Sequence, residues 1–387
     1  MKVLFVNSIF PNSVEPNKGN FILKNLAAYP AEVEVKVIAP IPFLLESRRG
    51  QPGTRIPLVE KLQAGKRTIE VFHPRFILLP RNILRAIVPF LEYILMRGLL
   101  KKIYANWKYD LIHANFASPD GIAATILSKV HKIPLVITEH QADLAAFLKI
   151  GYLRKEMTLA YKQANKVICV SEHTAGIIHS VAPRLKNICV IPNGVDFTRF
   201  ILHPKAAQPC KLIYIGYLIP HKGVQVLIEA LSLLKNQNFR LQLSIVGAGT
   251  YLDELKKLCN KLNLEKDVAF LGEKTAEQVA LLLSEHDVMV HPSFMESFGI
   301  VLVEALASGI PVVSTFNGGA ESIIDAETGI LVKPRDSLAL AEGIKTLILN
   351  WDHYNPERIR ALAEARFAIH GVAEQTIQVY RSVLCQV

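Results

Sequence analysis

The chain has 387 residues, half of them hydrophobic, enough apolar material for two domains, each with its own core. Five cysteines (Cys169, Cys189, Cys210, Cys259, Cys385) are odd in number and form no close pair, so neither a disulfide framework nor a zinc site is expected, and a reducing compartment fits. The longest run free of charged residues, Ala305 to Ala320, has 16 residues and is broken by Gly309 and Pro311. No transmembrane helix is expected, and Met1 to Val6 leads into Asn7 and a proline-rich loop with no cleavage-type ending of a secretory signal.

In chain order, strands are predicted at Lys2 to Val6, Val33 to Ala39, Asp110 to Ala114, Leu135 to Glu139, Lys166 to Val170 and Asn187 to Ile191, with helix-like stretches between them. Asp196 to Pro209, which contains Pro204 and Pro209, reads as a linker. A second series runs from Lys211 to about Arg366, with strands near Leu212, Leu241, Val268, Val288, Pro311 and Ile330. Alternation of this kind implies α/β architecture with parallel sheets covered on both faces.

Charge is unevenly placed. Residues 1–200 hold 27 Lys and Arg against 14 Asp and Glu, whereas residues 201–387 hold 17 against 20. Within the basic half, Arg81, Arg85, Arg97, Lys101 and Lys102 are spread among Ile83, Leu84, Ile87, Phe90, Ile94, Leu95 and Leu99, several at a four-residue step. A helix here carries an apolar face edged by cations, with Pro89 and Gly98 expected to break it into shorter pieces. Such a face suits either an anionic membrane surface or the protein's own core with snorkelling basic edges. Nucleic acid is not expected as a partner, because no aromatic-studded basic motif is present.

The stretch that says most about chemistry is Pro292-Ser293-Phe294-Met295-Glu296-Ser297-Phe298-Gly299-Ile300-Val301-Leu302-Val303-Glu304-Ala305. One acid lies in the loop before an apolar helix and a second lies inside that helix. The first N–H groups of a helix have no internal partner and carry partial positive charge, so its start near Phe298 to Ile300 can hold hydroxyls or a phosphate. Taken alone, Glu304 reads as a solvated helix residue and Glu296 as an ordinary N-terminal acid. Further glycine clusters, Gly216-Tyr217-Leu218-Ile219-Pro220-His221-Lys222-Gly223, Val246-Gly247-Ala248-Gly249 and Asn317-Gly318-Gly319-Ala320-Glu321, each follow a predicted strand. That is where open parallel sheets bind ligands.

Taken in this order, these segments resemble the family-4 retaining glycosyltransferases of GT-B architecture, and the pattern is most similar to bacterial enzymes of surface-polysaccharide synthesis. The resemblance runs almost end to end. It implies two Rossmann-like, doubly wound parallel-sheet domains facing a cleft: an acceptor-side domain over residues 1–200, completed by a C-terminal helix at about 371–387, and a nucleotide-sugar domain over residues 201–370. It also implies catalytic roles for Glu296, His140 and Lys222, with Lys222 meeting the donor diphosphate. Donor binding falls to Glu304 on the ribose, to the backbone of Phe298, Gly299 and Ile300 on the sugar, and to Tyr217 and Gly19. Asn20, Asp143 and His113 stand on the acceptor side.

Several positions depart from the family pattern. Tyr217 occupies the place of a common arginine, and Gly19 stands alone where many members have paired glycines, in the Gly-x-Phe form Gly19-Asn20-Phe21. Thr138-Glu139-His140-Gln141-Ala142-Asp143 keeps the histidine and the aspartate of a Thr-Glu-His-Gly-Ser-Asp pattern, and Asn115 replaces a second histidine beyond His113. Ile191-Pro192-Asn193-Gly194-Val195-Asp196 matches as hinge structure, Asn193-Gly194 being a good turn dipeptide in any context.

The resemblance thus implies transfer from a UDP- or GDP-sugar to a saccharide or lipid-linked acceptor with retention of anomeric configuration. No Asp-x-Asp pair occurs, so no metal and no cofactor are expected. A cytoplasmic location is expected, with a peripheral seat on the inner face of the plasma membrane left open. An epimerase or phosphorylase of similar architecture and a noncatalytic membrane-associated scaffold remain as alternatives. A nicotinamide enzyme is disfavoured because Gly247-Ala248-Gly249-Thr250-Tyr251-Leu252 lacks the last glycine of that fingerprint.

Overall fold

The structure is a computed structural model that describes residues 1–42, 56–76 and 88–386. It divides into one unit comprising Met1–Asn193 and His370–Val387 and a second comprising Gly194–Ile369. The strands are β1 (Lys2–Val6), β2 (Glu34–Ile38), β3 (Ile41–Pro42), β4 (Val59–Ala64), β5 (Arg67–Phe72), β6 (Arg75–Phe76), β7 (Leu111–Asn115), β8 (Leu135–Glu139), β9 (Lys166–Cys169) and β10 (Ile188–Val190) in the first unit, then β11 (Lys211–Ile215), β12 (Gln242–Val246), β13 (Val268–Gly272), β14 (Val288–His291), β15 (Val312–Thr315) and β16 (Gly329–Val332) in the second. The helices are α1 (Asn20–Ala27), α2 (Val88–Asn106), α3 (Ile122–His131), α4 (Leu144–Lys149), α5 (Gly151–Gln163), α6 (Glu172–Val181), α7 (Val224–Asn236), α8 (Leu252–Lys261), α9 (Ala276–Ser284), α10 (Ile300–Ala307), α11 (Ser337–Leu349), α12 (Pro356–Phe367) and α13 (Ile369–Leu384).

The first unit holds a sheet in the order β10-β9-β8-β7-β1-β2-β5-β4. Its central strands β7 and β8 are buried at every residue, as expected of a parallel sheet covered on both faces. Leu4, Ile112, Leu135 and Val167 belong to one core, and Val3, Phe5, Leu111 and Val136 to the other. α13 joins the second core through Ile377, Tyr380 and Val383.

One feature of this sheet falls outside the alternation read from the sequence. β4 pairs antiparallel with β5 through a two-residue turn at Gly65 and Lys66, where Gly65 has φ 60°. Its charged, alternating Val-Glu-Lys-Leu-Gln-Ala suits an edge strand, which needs only one apolar face.

The second unit holds a wholly parallel sheet in the order β13-β12-β11-β14-β15-β16. In both sheets the strand order reverses next to the first strand, between β1 and β7 and between β11 and β14. At such a switch point the loops after the two strands diverge to opposite faces and leave a crevice at the carboxyl edge. Those loops are the ones on which most of the predicted site residues lie.

Two expectations are corrected. Asp196 to Pro209 is not a free linker: Phe197 and Phe200 are buried, and the Arg360 guanidinium donates to the carbonyls of Phe197 (2.8 Å), Phe200 (2.8 Å) and Ala307 (2.9 Å). α2 runs through Gly98 without a break. A single exposed helical glycine costs about 1 kcal/mol, less than the burial of Met96, Leu100 and Ile103 on either side stabilises. Arg81, Ile83, Leu84, Arg85 and Ile87 lie outside the described residues. Among the described residues, no helix is long and apolar enough to cross a membrane.

Candidate active site

In the second unit the loop after β11 turns at Pro220–Lys222 into Gly223, whose φ of 74° only glycine adopts readily. A Cβ at this position would lie 2.0 Å from the Pro292 carbonyl oxygen, so the glycine lets the loop press against the one following β14. The Phe294 amide donates to the His221 carbonyl (2.9 Å), and the Glu296 amide donates to the Asn317 carbonyl (2.8 Å). Three loops at one sheet edge are thereby tied together through backbone.

That clamp fixes a charged cluster. Lys222 Nζ donates to Glu296 Oε1, and His291 Nε2, at the end of β14, donates to the same oxygen at 3.0 Å. Burial alone would push the Glu296 carboxyl up, but the His291 hydrogen bond and the Lys222 charge outweigh it and hold the group down at about 2. The Glu296 side chain retains 11 % exposure and that of Lys222 17 %, so both reach the surface while staying largely desolvated. The structure thus brings together two of the three expected catalytic residues and adds His291, which sequence reading missed. Its one signal was a histidine closing a strand five residues before the loop acid.

The remaining donor-side positions surround this cluster in sequence. Gly299 (φ 94°) precedes the first residue of α10, so the amides of Ile300 and Val301 open the helix without intrahelical acceptors. The Phe298 side chain is buried edge-on against Phe367 (5.8 Å between centroids), which leaves its backbone, not its ring, for a ligand. Glu304 is the fifth residue of α10 and half-buried. Tyr217 is 68 % exposed, and its carbonyl accepts from the Tyr214 hydroxyl (3.0 Å).

The first unit gathers its residues at its own switch point. Gly19 (φ 64°) precedes α1, and a Cβ there would stand 2.0 Å from the Ile9 carbonyl oxygen of the loop after β1. Asn20 begins the helix, and Phe21 then packs edge-on against the His140 ring, 5.1 Å between centroids, with Phe116 at 5.4 Å. His140 is consequently desolvated, which lowers its pKa to about 3 and keeps the imidazole neutral. Nε2 faces Asn115 Oδ1 at 3.1 Å and Nδ1 is buried, so neither ring nitrogen is turned to solvent.

His113 is 3 % exposed, bonded through Nδ1 to the Tyr380 hydroxyl and through Nε2 to Thr138 Oγ1 (2.7 Å), and burial together with the nearby His140 lowers its pKa to about 3. It therefore braces β7 against β8 and α13. Asp143 precedes α4 and accepts from the Gln141 side chain. Glu139, wholly buried, accepts from the Ala117 amide (3.1 Å), the Gln141 amide (2.9 Å) and the Tyr161 hydroxyl (2.7 Å), and so holds the loops after β7 and β8.

Two doubly wound sheets, the second carrying a lysine–carboxylate pair at its switch point, define the class of GT-B glycosyltransferases. The solved structures agree: the protein is similar over its full length to sucrose-phosphate synthase from Thermosynechococcus elongatus, with a TM-score of 0.80 at 22 % identity and 100 % of each chain covered. It is also similar to Anabaena HepE in complex with UDP, with a TM-score of 0.75 at 25 % identity over 99 % of this chain and 100 % of that one.

The sequence comparisons narrow the class. Residues 200–365 match the model of Glycosyl transferases group 1, and residues 24–199 that of Glycosyltransferase Family 4. The chain is 30 % identical over 299 residues to the glycogen synthase of Mycobacterium tuberculosis (strain CDC 1551 / Oshkosh), covering 73 % of this chain and 71 % of that one. It is 28 % identical over 360 residues to the glycosyltransferase TuaC of Bacillus subtilis (strain 168), whose provisional name links it to teichuronic acid biosynthesis, with 89 % and 88 % covered. The chain belongs to the family-4 glycosyltransferases.

Proposed function

We propose that this glycosyltransferase moves a sugar from a nucleoside-diphosphate sugar, UDP-linked in the first instance, to a saccharide or lipid-linked acceptor in the building of a cell-surface polysaccharide. The observation that carries this reading is the Lys222–Glu296–His291 cluster at the switch point of the second sheet. The UDP complex of HepE supports the choice of donor nucleotide, and the name of TuaC supports the choice of product.

Breaking the bond from the anomeric carbon to the diphosphate leaves the electron pair on the phosphate oxygen and positive character on the sugar ring. Lys222 turns to the diphosphate, and the N-terminal amides of α10 meet the donor's oxygens. Glu296, still held ionised by His291, accepts from a sugar hydroxyl and offsets the ring's charge. Glu304, on the same helix, takes the ribose hydroxyls. The acceptor hydroxyl attacks from the face the diphosphate leaves and gives its proton to the departing phosphate oxygen, so configuration is retained without a covalent enzyme intermediate. No step in this scheme calls for a metal. His140 acts by position, as the packed anchor of the loop after β8, with Asp143 and Asn20 presenting polar groups to the acceptor.

The exposed side of α2 gives a lipid-linked acceptor a physical basis. Phe90 (55 % exposed) and Ile94 (45 %) share it with Arg97, Lys101 and Lys102, an apolar-then-cationic stripe suited to an anionic leaflet. Flotation with phosphatidylserine vesicles checks this part, and Phe90→Ser with Ile94→Ser is expected to abolish flotation.

The donor reading is tested with a panel of nucleotide sugars by thermal shift, because a ligand that binds only the native state raises the unfolding midpoint. A UDP-sugar is expected to give the largest shift, and Glu296→Gln to fold normally while transfer falls by about 10²–10³-fold. Unchanged transfer in Glu296→Gln would favour a scaffold, and nucleotide release that needs no acceptor would favour an epimerase.

A further inference from the structure

Among the described residues the ammonium of Lys222 has a single partner, Glu296 Oε1. His291 Nε2 donates to that same oxygen at 3.0 Å. Glu296 Oε2 has no hydrogen-bond partner among the described residues and is not sealed from solvent, so the carboxylate turns one oxygen to its two donors and the other outward. The two donors differ in how firmly they are held. His291 is 2 % exposed at the end of β14, and the Tyr214 ring lies parallel to it, 6.1 Å between centroids with 9° between planes. Lys222 reaches the oxygen on a flexible four-carbon stem from the loop after β11, with 17 % of its side chain exposed. Of the two, the lysine is the one built to change partner.

A diphosphate that takes Lys222 leaves the Glu296 carboxylate with His291 alone and sets a second anion beside it, at a place where neither side chain of the pair is fully hydrated. An intact nucleotide sugar offsets this, because its sugar hydroxyls donate to the outward Oε2. A bare nucleoside diphosphate brings no such sugar, so the carboxylate opposes its binding.

We infer that Glu296 is a specificity-determining residue that competes with the diphosphate for Lys222, and so sets the site against the bare nucleotide and in favour of the intact donor; this rests on the reading of the cluster as the donor site. Specificity is a difference of affinities, and a penalty on the wrong ligand creates it as well as a contact to the right one. Once the sugar has left, Lys222 returns to Glu296 and the nucleotide is released.

Calorimetric titration of the full chain with UDP tests it. Glu296→Gln keeps the shape and an acceptor for His291 but removes the charge. It should bind UDP about tenfold more tightly than wild type, an effect between those of an exposed and a buried ion pair, even as transfer falls. In a Lys222→Met background the same substitution should bring no gain. A crystal of the wild-type protein with UDP should show Lys222 Nζ on a phosphate oxygen and beyond hydrogen-bonding distance of Glu296. Equal or weaker UDP binding by Glu296→Gln, a gain that persists without Lys222, or a UDP complex in which Lys222 stays on Glu296 overturns the competition, and the crystal decides it even if the variant fails to fold. Wild-type protein that binds neither UDP nor GDP is a different result, which overturns the donor reading itself and this inference with it.

Discussion

The two switch points solve opposite electrostatic problems. In the second unit a carboxylate is buried and kept charged, because Lys222 and His291 both face Glu296. In the first unit burial works against charge at several enclosed groups: His113 and His140 are pushed down, while the Asp120, Glu92 and Glu139 carboxyls are pushed up. Asp120 accepts from the Ser8 amide and hydroxyl (2.9 Å each), and neither oxygen of Glu92 has a hydrogen-bond partner among the described residues. Charge is favoured where paired counter-charges outweigh desolvation, as at Glu296, and disfavoured where desolvation is the larger effect, as at Asp120, whose Ser8 bonds and Lys18 do not offset it. The same topology therefore yields one edge that holds a charged cluster and another where burial disfavours charge, and on the function proposed above the first receives the anionic donor and the second the acceptor's hydroxyls.

The largest effect that would break this contrast is Lys222→Met. It should lower kcat/KM by about 10²–10³-fold, as expected for loss of a group aimed at developing charge, and steady-state kinetics on the folded variant checks it. Next is acid stability. Glu296 is depressed in the folded state, so the stability it contributes is present above the ordinary carboxylate pKa and is lost as pH falls from about 4.5 toward about 2, a loss on the order of 3 kcal/mol. Denaturant melts of wild type and Glu296→Gln across that window should converge as pH falls.

Asp120 has the opposite sign, being raised by burial against the opposing effects of Ser8 and Lys18 and lying near Glu92. The native state keeps a proton that the unfolded chain releases, so wild type loses stability relative to Asp120→Asn as pH rises above the ordinary carboxylate range. Matching slopes for the two acids would break the contrast.

A smaller effect is expected of Tyr380→Phe. The Tyr380 hydroxyl joins Tyr29 (3.0 Å) and His113, and removing it orphans buried groups at a cost of about 1–3 kcal/mol; chemical denaturation reads it directly. The smallest is Tyr217→Arg. An arginine on this exposed site should tighten donor binding by several-fold, in line with about 1 kcal/mol for an exposed charge contact. Calorimetry with the nucleoside diphosphate measures that gain and sharpens how far Lys222 acts alone.

The amino-acid sequence by itself determined the two α/β series, since β1 and β8 fall on the predicted Lys2 to Val6 and Leu135 to Glu139, and the second series follows its six predicted strands. It also determined the Glu296 and Lys222 loops, because glycine clusters after apolar runs are local signals. What it left out is either weakly patterned or remote. The β4 edge strand carries too many charges to read as a strand, and Asp196 to Pro209 looked like a linker because the Arg360 guanidinium that pins it comes from far along the chain.

Only the tertiary structure decided that His291 shares Glu296 with Lys222, that Phe21 covers His140, and that Tyr380 reaches His113 across 267 residues. Side-chain periodicity specifies which face of an element is apolar. Protonation state and hydrogen-bond partners depend on what the fold brings within a few ångströms, and no local pattern encodes that.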